Sequence, residues 1–181
     1  MVFIILYLVG ALLFVNGLLL LGMVSSFPGV AALNFLIGTL ITIMGMYITM
    51  TDNLKGFGET VSNTLAAIVF TFSVAYLMIA LEVWTKGDFT VLGWYCLPMA
   101  ACLFSIALGF FGILGKKLPK VPQFGVLVLT WSVCFFLFWL RFGYQMADIG
   151  PLTGWVIIIV GFITCLYPAL ANFQAGKVGQ W

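Results

Sequence analysis

Histidine is absent from the 181 residues, and the chain carries only seven lysines and arginines and five aspartates and glutamates. Without an imidazole there is no His-based metal site, no histidine general base and no side chain that ordinarily titrates near neutrality. Charged residues make up 7% of the chain and hydrophobic ones 64%, whereas a soluble domain carries roughly 25% charged residues. A water-soluble surface cannot be built from that supply. The net charge of +2 is small and scattered, which excludes a nucleic-acid footprint. Four cysteines (Cys96, Cys102, Cys134, Cys165) lie in apolar runs with no CxxC spacing, so they read as packed thiols and not as a metal or redox site. No catalytic constellation appears and no cofactor is expected.

Long apolar runs are what the chain has instead. They fall at about 2–23, 29–50, 61–81, 90–114, 124–140 and 152–173, each close to the roughly 20 residues that a membrane helix needs. Turn chemistry separates them: Ser25-Ser26-Phe27-Pro28-Gly29, Thr51 to Gly56, Thr85-Lys86-Gly87-Asp88, Gly115 to Lys120, and Arg141 to Pro151. Backbone groups in lipid must bond within their own segment or within a closed barrel. These runs are apolar on all sides and twice the length of a barrel strand. The sequence therefore predicts an all-α, polytopic membrane protein, with six transmembrane helices in one bundle, short loops and a single domain over 1–181.

The N-terminus has no basic region and the first charged side chain is Asp52, which argues against a cleaved secretory signal. Lys55, Lys116, Lys117, Lys120 and Lys177 fall on the side of the termini, and Lys86 and Arg141 on the other. The positive-inside rule then puts both termini in the cytoplasm.

Inside the spans, candidate lining residues recur at helical spacing. Leu6, Val9, Leu13 and Asn16 share one face of the first span. Phe72 and Tyr76 are one turn apart in the third. Phe124, Val128, Trp131 and Phe135 follow the same rhythm in the fifth. An Asn amide in hydrocarbon needs partners, so Asn16 faces protein or water; the plainer reading is a hydrogen bond to a neighbouring helix, with the aromatics as packing. Ala101, Ser105 and Gly109 form a small-residue stripe suited to close helix packing, within the bundle or between subunits. No carboxylate sits well inside a span. Glu82 and Asp148 stand at span ends, where plain solvation and a role at a pore mouth are both open.

The stretch Leu6-Tyr7-Leu8-Val9-Gly10, Asn16-Gly17 and Asn34-Phe35 resembles the UreI/AmiS family of urea and short-chain amide channels. So do Phe72 and Tyr76, Trp94-Tyr95, Trp131 with its stripe, and Tyr167-Pro168-Ala169. The resemblance runs the full length. It implies a homo-hexamer in the bacterial inner membrane, each protomer with its own pore passing urea, acetamide, propionamide or similar amides to a cytoplasmic urease or amidase. Surrounding lipid is the other partner. Carried over by position, the lining is Leu6, Leu13, Asn16, Phe72, Tyr76, Trp131 and Phe135, the last at a place often held by Trp in the acid-gated urea channels. An aromatic slot admits a flat neutral solute and excludes a hydrated ion.

Two departures matter. The acid-gated members have loop histidines, and this chain has none, so passage independent of external pH is expected. The urea members carry a Glu in the sixth span where this chain has Val160, which tilts the expected solute towards alkyl amides beside urea. The family topology also puts both termini outside, against the lysine count, and is preferred here because seven positive charges are a small sample. The competing functions are a coupled secondary transporter, which would need an intramembrane carboxylate, and a membrane scaffold, which would need something protruding for a partner to grip.

Overall fold

The computed structural model describes residues 2–51, 59–115 and 118–175. Lys55, Lys116, Lys117 and Lys177, which bear on the charge asymmetry, lie outside the described residues, as does Asp52. Six segments are long and apolar enough to cross a membrane, and no strand occurs among the described residues. They are α1 (Val2–Leu20), α2 (Phe27–Thr51), α3 (Glu59–Thr85), α4 (Thr90–Phe110), α5 (Pro122–Phe138) with a π turn at Trp139–Gly143, and a composite sixth span. That sixth span is a 3-10 turn (Ala147–Ile149), α6 (Gly150–Val160), a π turn (Gly161–Leu166) and α7 (Tyr167–Gln174).

Two helices stop before their apolar runs do, for one reason. Gly22 and Gly112 adopt φ +69° and +74°, a left-handed backbone that ends a helix. The six-to-one closing bonds follow, from Met23 N–H to the Leu18 carbonyl and from Ile113 N–H to the Leu108 carbonyl, both 2.9 Å. The sixth span is longer than expected because Pro151 sits in its first turn, where a missing N–H costs nothing. Further along, Tyr167 N–H reaches back five residues to the Phe162 carbonyl, and Pro168 then has no N–H to restore the α pattern.

The spans pack mainly as three pairs: α2 with α3, α4 with α5, and α1 with the sixth span. Glycines set the third pair. A Cβ on Gly10 would lie 3.0 Å from the Gly161 carbonyl, and one on Gly17 would lie 2.8 Å from the Gly154 carbonyl. Gly10 and Gly17 are seven residues apart, as are Gly154 and Gly161, so the two antiparallel helices meet at two backbone-close crossings. The Ala101, Ser105, Gly109 stripe does less: Ala101 and Ser105 face outward, and only Gly109 is buried, against Leu118. Cys96, Cys134 and Cys165 are packed thiols as expected, but Cys102 is exposed on the outer surface of α4, because six residues beyond Cys96 it stands about 120° round the helix from that buried face.

Polar side chains tie the pairs together. Ser73 and Thr42 touch each other and both donate to the Gly38 carbonyl, joining α3 to α2. Ser132 donates to the Ala100 carbonyl at 2.8 Å, joining α5 to α4. Asn16 on α1 and Asn34 on α2 exchange amide hydrogen bonds of 3.0 and 2.8 Å, both side chains buried. Removing one member takes a buried partner from the other, although Asn34 Nδ2 keeps its bond to the Val30 carbonyl at 2.9 Å. Asn16→Leu and Asn34→Leu alone are each expected to cost about 2 kcal/mol, and the double replacement clearly less than their sum. Reversible unfolding in mixed micelles measures this; simple additivity would show that the two amides do not support each other.

Candidate functional site

Three cavities follow one another along the bundle axis, and their linings overlap. The first, about 40 Å3, opens towards the start of α1 and is wholly apolar, with Leu6, Val9, Ile68, Phe72, Phe124 and Trp131 among its walls. The second, about 20 Å3, lies at mid-span among Leu13, Phe72, Tyr76, Cys96, Cys134 and Phe135. The third, about 300 Å3, is at the opposite end, between Asn16, Ile79, Asp88, Leu92, Phe138 and Arg141. Phe72 belongs to the first two; Ile79, Leu92 and Phe138 belong to the last two. The residues shared between neighbouring cavities are the necks.

The first neck is aromatic. Phe72 meets Trp131 edge-on at 5.5 Å and 87°, and Phe135 at 5.3 Å and 78°. These are the offsets that ring quadrupoles prefer. Tyr76, one turn along α3, spends its hydroxyl on the Val9 carbonyl at 3.3 Å. The Trp131 indole N–H donates to Thr164 Oγ1 at 2.9 Å, and that hydroxyl donates to the Val160 carbonyl at 2.7 Å. The ring plane of Trp131 is thus set from the sixth span, through a residue inside its π turn. With these polar atoms occupied, the first two cavities present apolar walls throughout.

Nine of the expected lining residues border these cavities: Leu6, Val9, Leu13, Asn16, Phe72, Tyr76, Phe124, Trp131 and Phe135. Val128 is fully buried but borders none of the three, and half-buried Val160 enters through its carbonyl only. Asn16 stands at the edge of the large cavity while its amide is paired with Asn34. Glu82 Oε2 accepts from the Phe89 N–H at 3.4 Å, next to the start of α4, and Asp148 is exposed in the 3-10 turn. Asp88 accepts from the Thr90 N–H at 3.0 Å, and these bonds from Thr90 hold its carboxyl below the usual carboxylate value.

Sequence reasoning missed Thr164, Ile79, Leu92, Phe138 and the mouth role of Arg141. Thr164 and Arg141 were accessible to a narrower question, namely which polar residues fall near breaks in helical regularity. Ile79 and Leu92 carried no signal, since an apolar residue lining a pore and one facing lipid look alike in a membrane span.

A sequence model described as AmiS/UreI family transporter matches residues 1–175. A Mycolicibacterium smegmatis protein named for the transport of amidate substrates is 31% identical over 177 residues, covering 96% of this chain and 78% of its own. The Rhodococcus erythropolis transporter protein AmiS2 is 29% identical over 161 residues, covering 89% and 73%. In three dimensions the chain is similar to the Helicobacter pylori urea channel in its closed state, with a TM-score of 0.82 at 23% identity, covering 98% of this chain and all of that one. A crystal structure of the urea channel from the same organism gives 0.78 at the same identity and coverage. At that identity the likeness establishes the fold.

Proposed function

Because the chain belongs to the AmiS/UreI family of transporters, a family of multi-pass membrane proteins and not of enzymes, we propose that it is a passive channel for short-chain aliphatic amides and urea. The observation that carries this reading is the file of three cavities along one axis, joined by necks of apolar and aromatic side chains. A neutral, flat amide loses a few hydrogen bonds to water on entering such necks. An ion would lose a hydration shell worth tens of kcal/mol in an apolar medium, with nothing to replace it. No carboxylate borders the two narrower cavities, which leaves no proton- or cation-coupling residue at mid-membrane and disfavours a coupled transporter. The names of the relatives, an amidate transporter and a urea channel, point to the same solutes. The setting proposed is the bacterial inner membrane, with the chain as a homo-hexamer of separate pores supplying a cytoplasmic amidase or urease.

Passage is expected to be independent of pH. The chain has no histidine. Asp88, at the wide mouth, is held below the usual carboxylate value by its bonds from Thr90, so it carries its charge at both pH 5 and pH 7.5 and loses it only below the ordinary carboxylate range. Stopped-flow light scattering on proteoliposomes, with urea, acetamide and propionamide at pH 5 and 7.5 and no ion gradient, is the test. Entry well above empty liposomes and within about twofold at the two pH values is expected. Entry that needs an ion gradient would favour the coupled transporter. A sharp fall at pH 5 in protein that stays folded would sink the ungated reading.

A further inference from the structure

We infer that the wide mouth is a capture site for the primary amide group, in which Arg141 donates to the solute carbonyl and Asp88 accepts from its N–H. This deepens the channel reading and rests on it. Arg141 and Asp88 are both in the wall of the 300 Å3 cavity. Among the described residues neither makes an ion pair. Opposite charges held in one cavity without neutralising each other present a field along which a dipole aligns. An amide has such a dipole, with its carbonyl oxygen at one end and its N–H groups at the other.

The guanidinium is placed, not free. It lies over the Phe142 ring, 5.3 Å from the centroid. Its Nε is buried without an acceptor, against Gly150, where an added Cβ would stand 3.2 Å away. Phe142 in turn stacks on Phe89 at 5.2 Å and 29°. Phe89 holds φ +63°, and the other non-glycine residues with positive φ among the described residues, Lys86 (54°) and Gln145 (59°), are in the two loops flanking this mouth. Left-handed backbone is costly for side chains of this size, and here it coincides with the stack on which Arg141 rests. The Phe142 ring and the Gly150 backbone thus flank the guanidinium, whose other N–H groups are left for a ligand.

A capture site raises occupancy when solute is scarce and does nothing once the neck is saturated. Acetamide entry into proteoliposomes is measured across low-millimolar to molar concentrations for the wild type, Arg141→Met, Arg141→Lys and Asp88→Asn. Arg141→Met is expected to lower entry about tenfold at low concentration, roughly the low end of what one charge-assisted hydrogen bond supplies, with the gap closing at high concentration. Arg141→Lys, which keeps the charge and loses the fork, and Asp88→Asn are expected to fall between Arg141→Met and the wild type. Equal entry for Arg141→Met and wild type at every concentration would make Arg141 a membrane-interface anchor and overturn the inference. A uniform fall at all concentrations would assign Arg141 to the fold and overturn it too. If the wild type itself admits no amide, the channel reading fails first, a result separable from both.

Discussion

Phe72→Ala is expected to raise acetamide entry about tenfold and to ease the passage of the longer butyramide as well. The Phe72 ring is the shared wall between the 40 Å3 and 20 Å3 cavities, and it is wedged edge-on between Trp131 and Phe135. Deleting it joins the two spaces. If that neck limits flux, lowering its barrier by only about 1.4 kcal/mol gives the tenfold gain. The same substitution leaves a void and is expected to cost about 2 kcal/mol of stability. That is less than a Phe-to-Ala change costs in a soluble core, because lipid provides no hydrophobic transfer term and only the lost dispersion counts. Stopped-flow entry of the two amides and thermal unfolding in detergent report the two effects separately. Unchanged entry with the expected loss of stability would mean that Phe72 is packing and that the solute path runs elsewhere.

Gly93→Ala is expected to prevent assembly of the bundle, with loss of folded protein from the membrane and a penalty above about 4 kcal/mol. Gly93 on α4 faces the π turn of the fifth span so closely that a Cβ would strike the Gly143 backbone nitrogen and come within 2.5 Å of its Cα and 2.6 Å of the Phe142 carbonyl carbon. Backbone atoms cannot rotate away as a side chain can. Gly22→Ala is the contrast: its added Cβ meets nothing within 4 Å, so only the positive φ opposes it, at about 1 kcal/mol. Yield of monodisperse protein and its unfolding temperature compare the two. A Gly93→Ala protein as stable as the wild type would mean that α4 and the fifth span are not in backbone contact. Since the Phe142 and Arg141 segment is the one that would be displaced, partial survival of the fold should damage the wide mouth first.

The spans were legible because a bilayer leaves few options. Runs of about twenty uncharged residues bounded by Gly, Pro and charge become helices wherever they cross lipid, and the six expected runs match the six observed spans. The ends were less legible. Gly22 and Gly112 close α1 and α4 inside their apolar runs, and Pro151 opens the sixth span before its apolar run. The lining was half legible. Aromatics at helical spacing, such as Phe72, Trp131 and Phe135, stand out against aliphatic neighbours and do meet at the neck. Their supports do not stand out: Thr164, which orients Trp131, is 33 residues from it in the chain.

What the sequence determined by itself is the solvent and the secondary structure. The scarcity of charge requires lipid, and lipid requires helices, whatever their arrangement. It also determined that no histidine or mid-span carboxylate takes part. Which side of each helix looks inward was decided only by the tertiary structure. In a soluble protein water sorts apolar from polar faces and leaves a periodic trace, but lipid accepts the same Leu, Ile and Val as the interior does. Helix faces are then chosen by steric fit and by paired amides. Gly10 and Gly17 close on Gly161 and Gly154, Gly93 closes on Gly143, and Asn16 finds Asn34. Those matches place Phe72 between Trp131 and Phe135 and bring Asp88 and Arg141 to one mouth, relations between residues far apart in the chain that become fixed only when the helices pack.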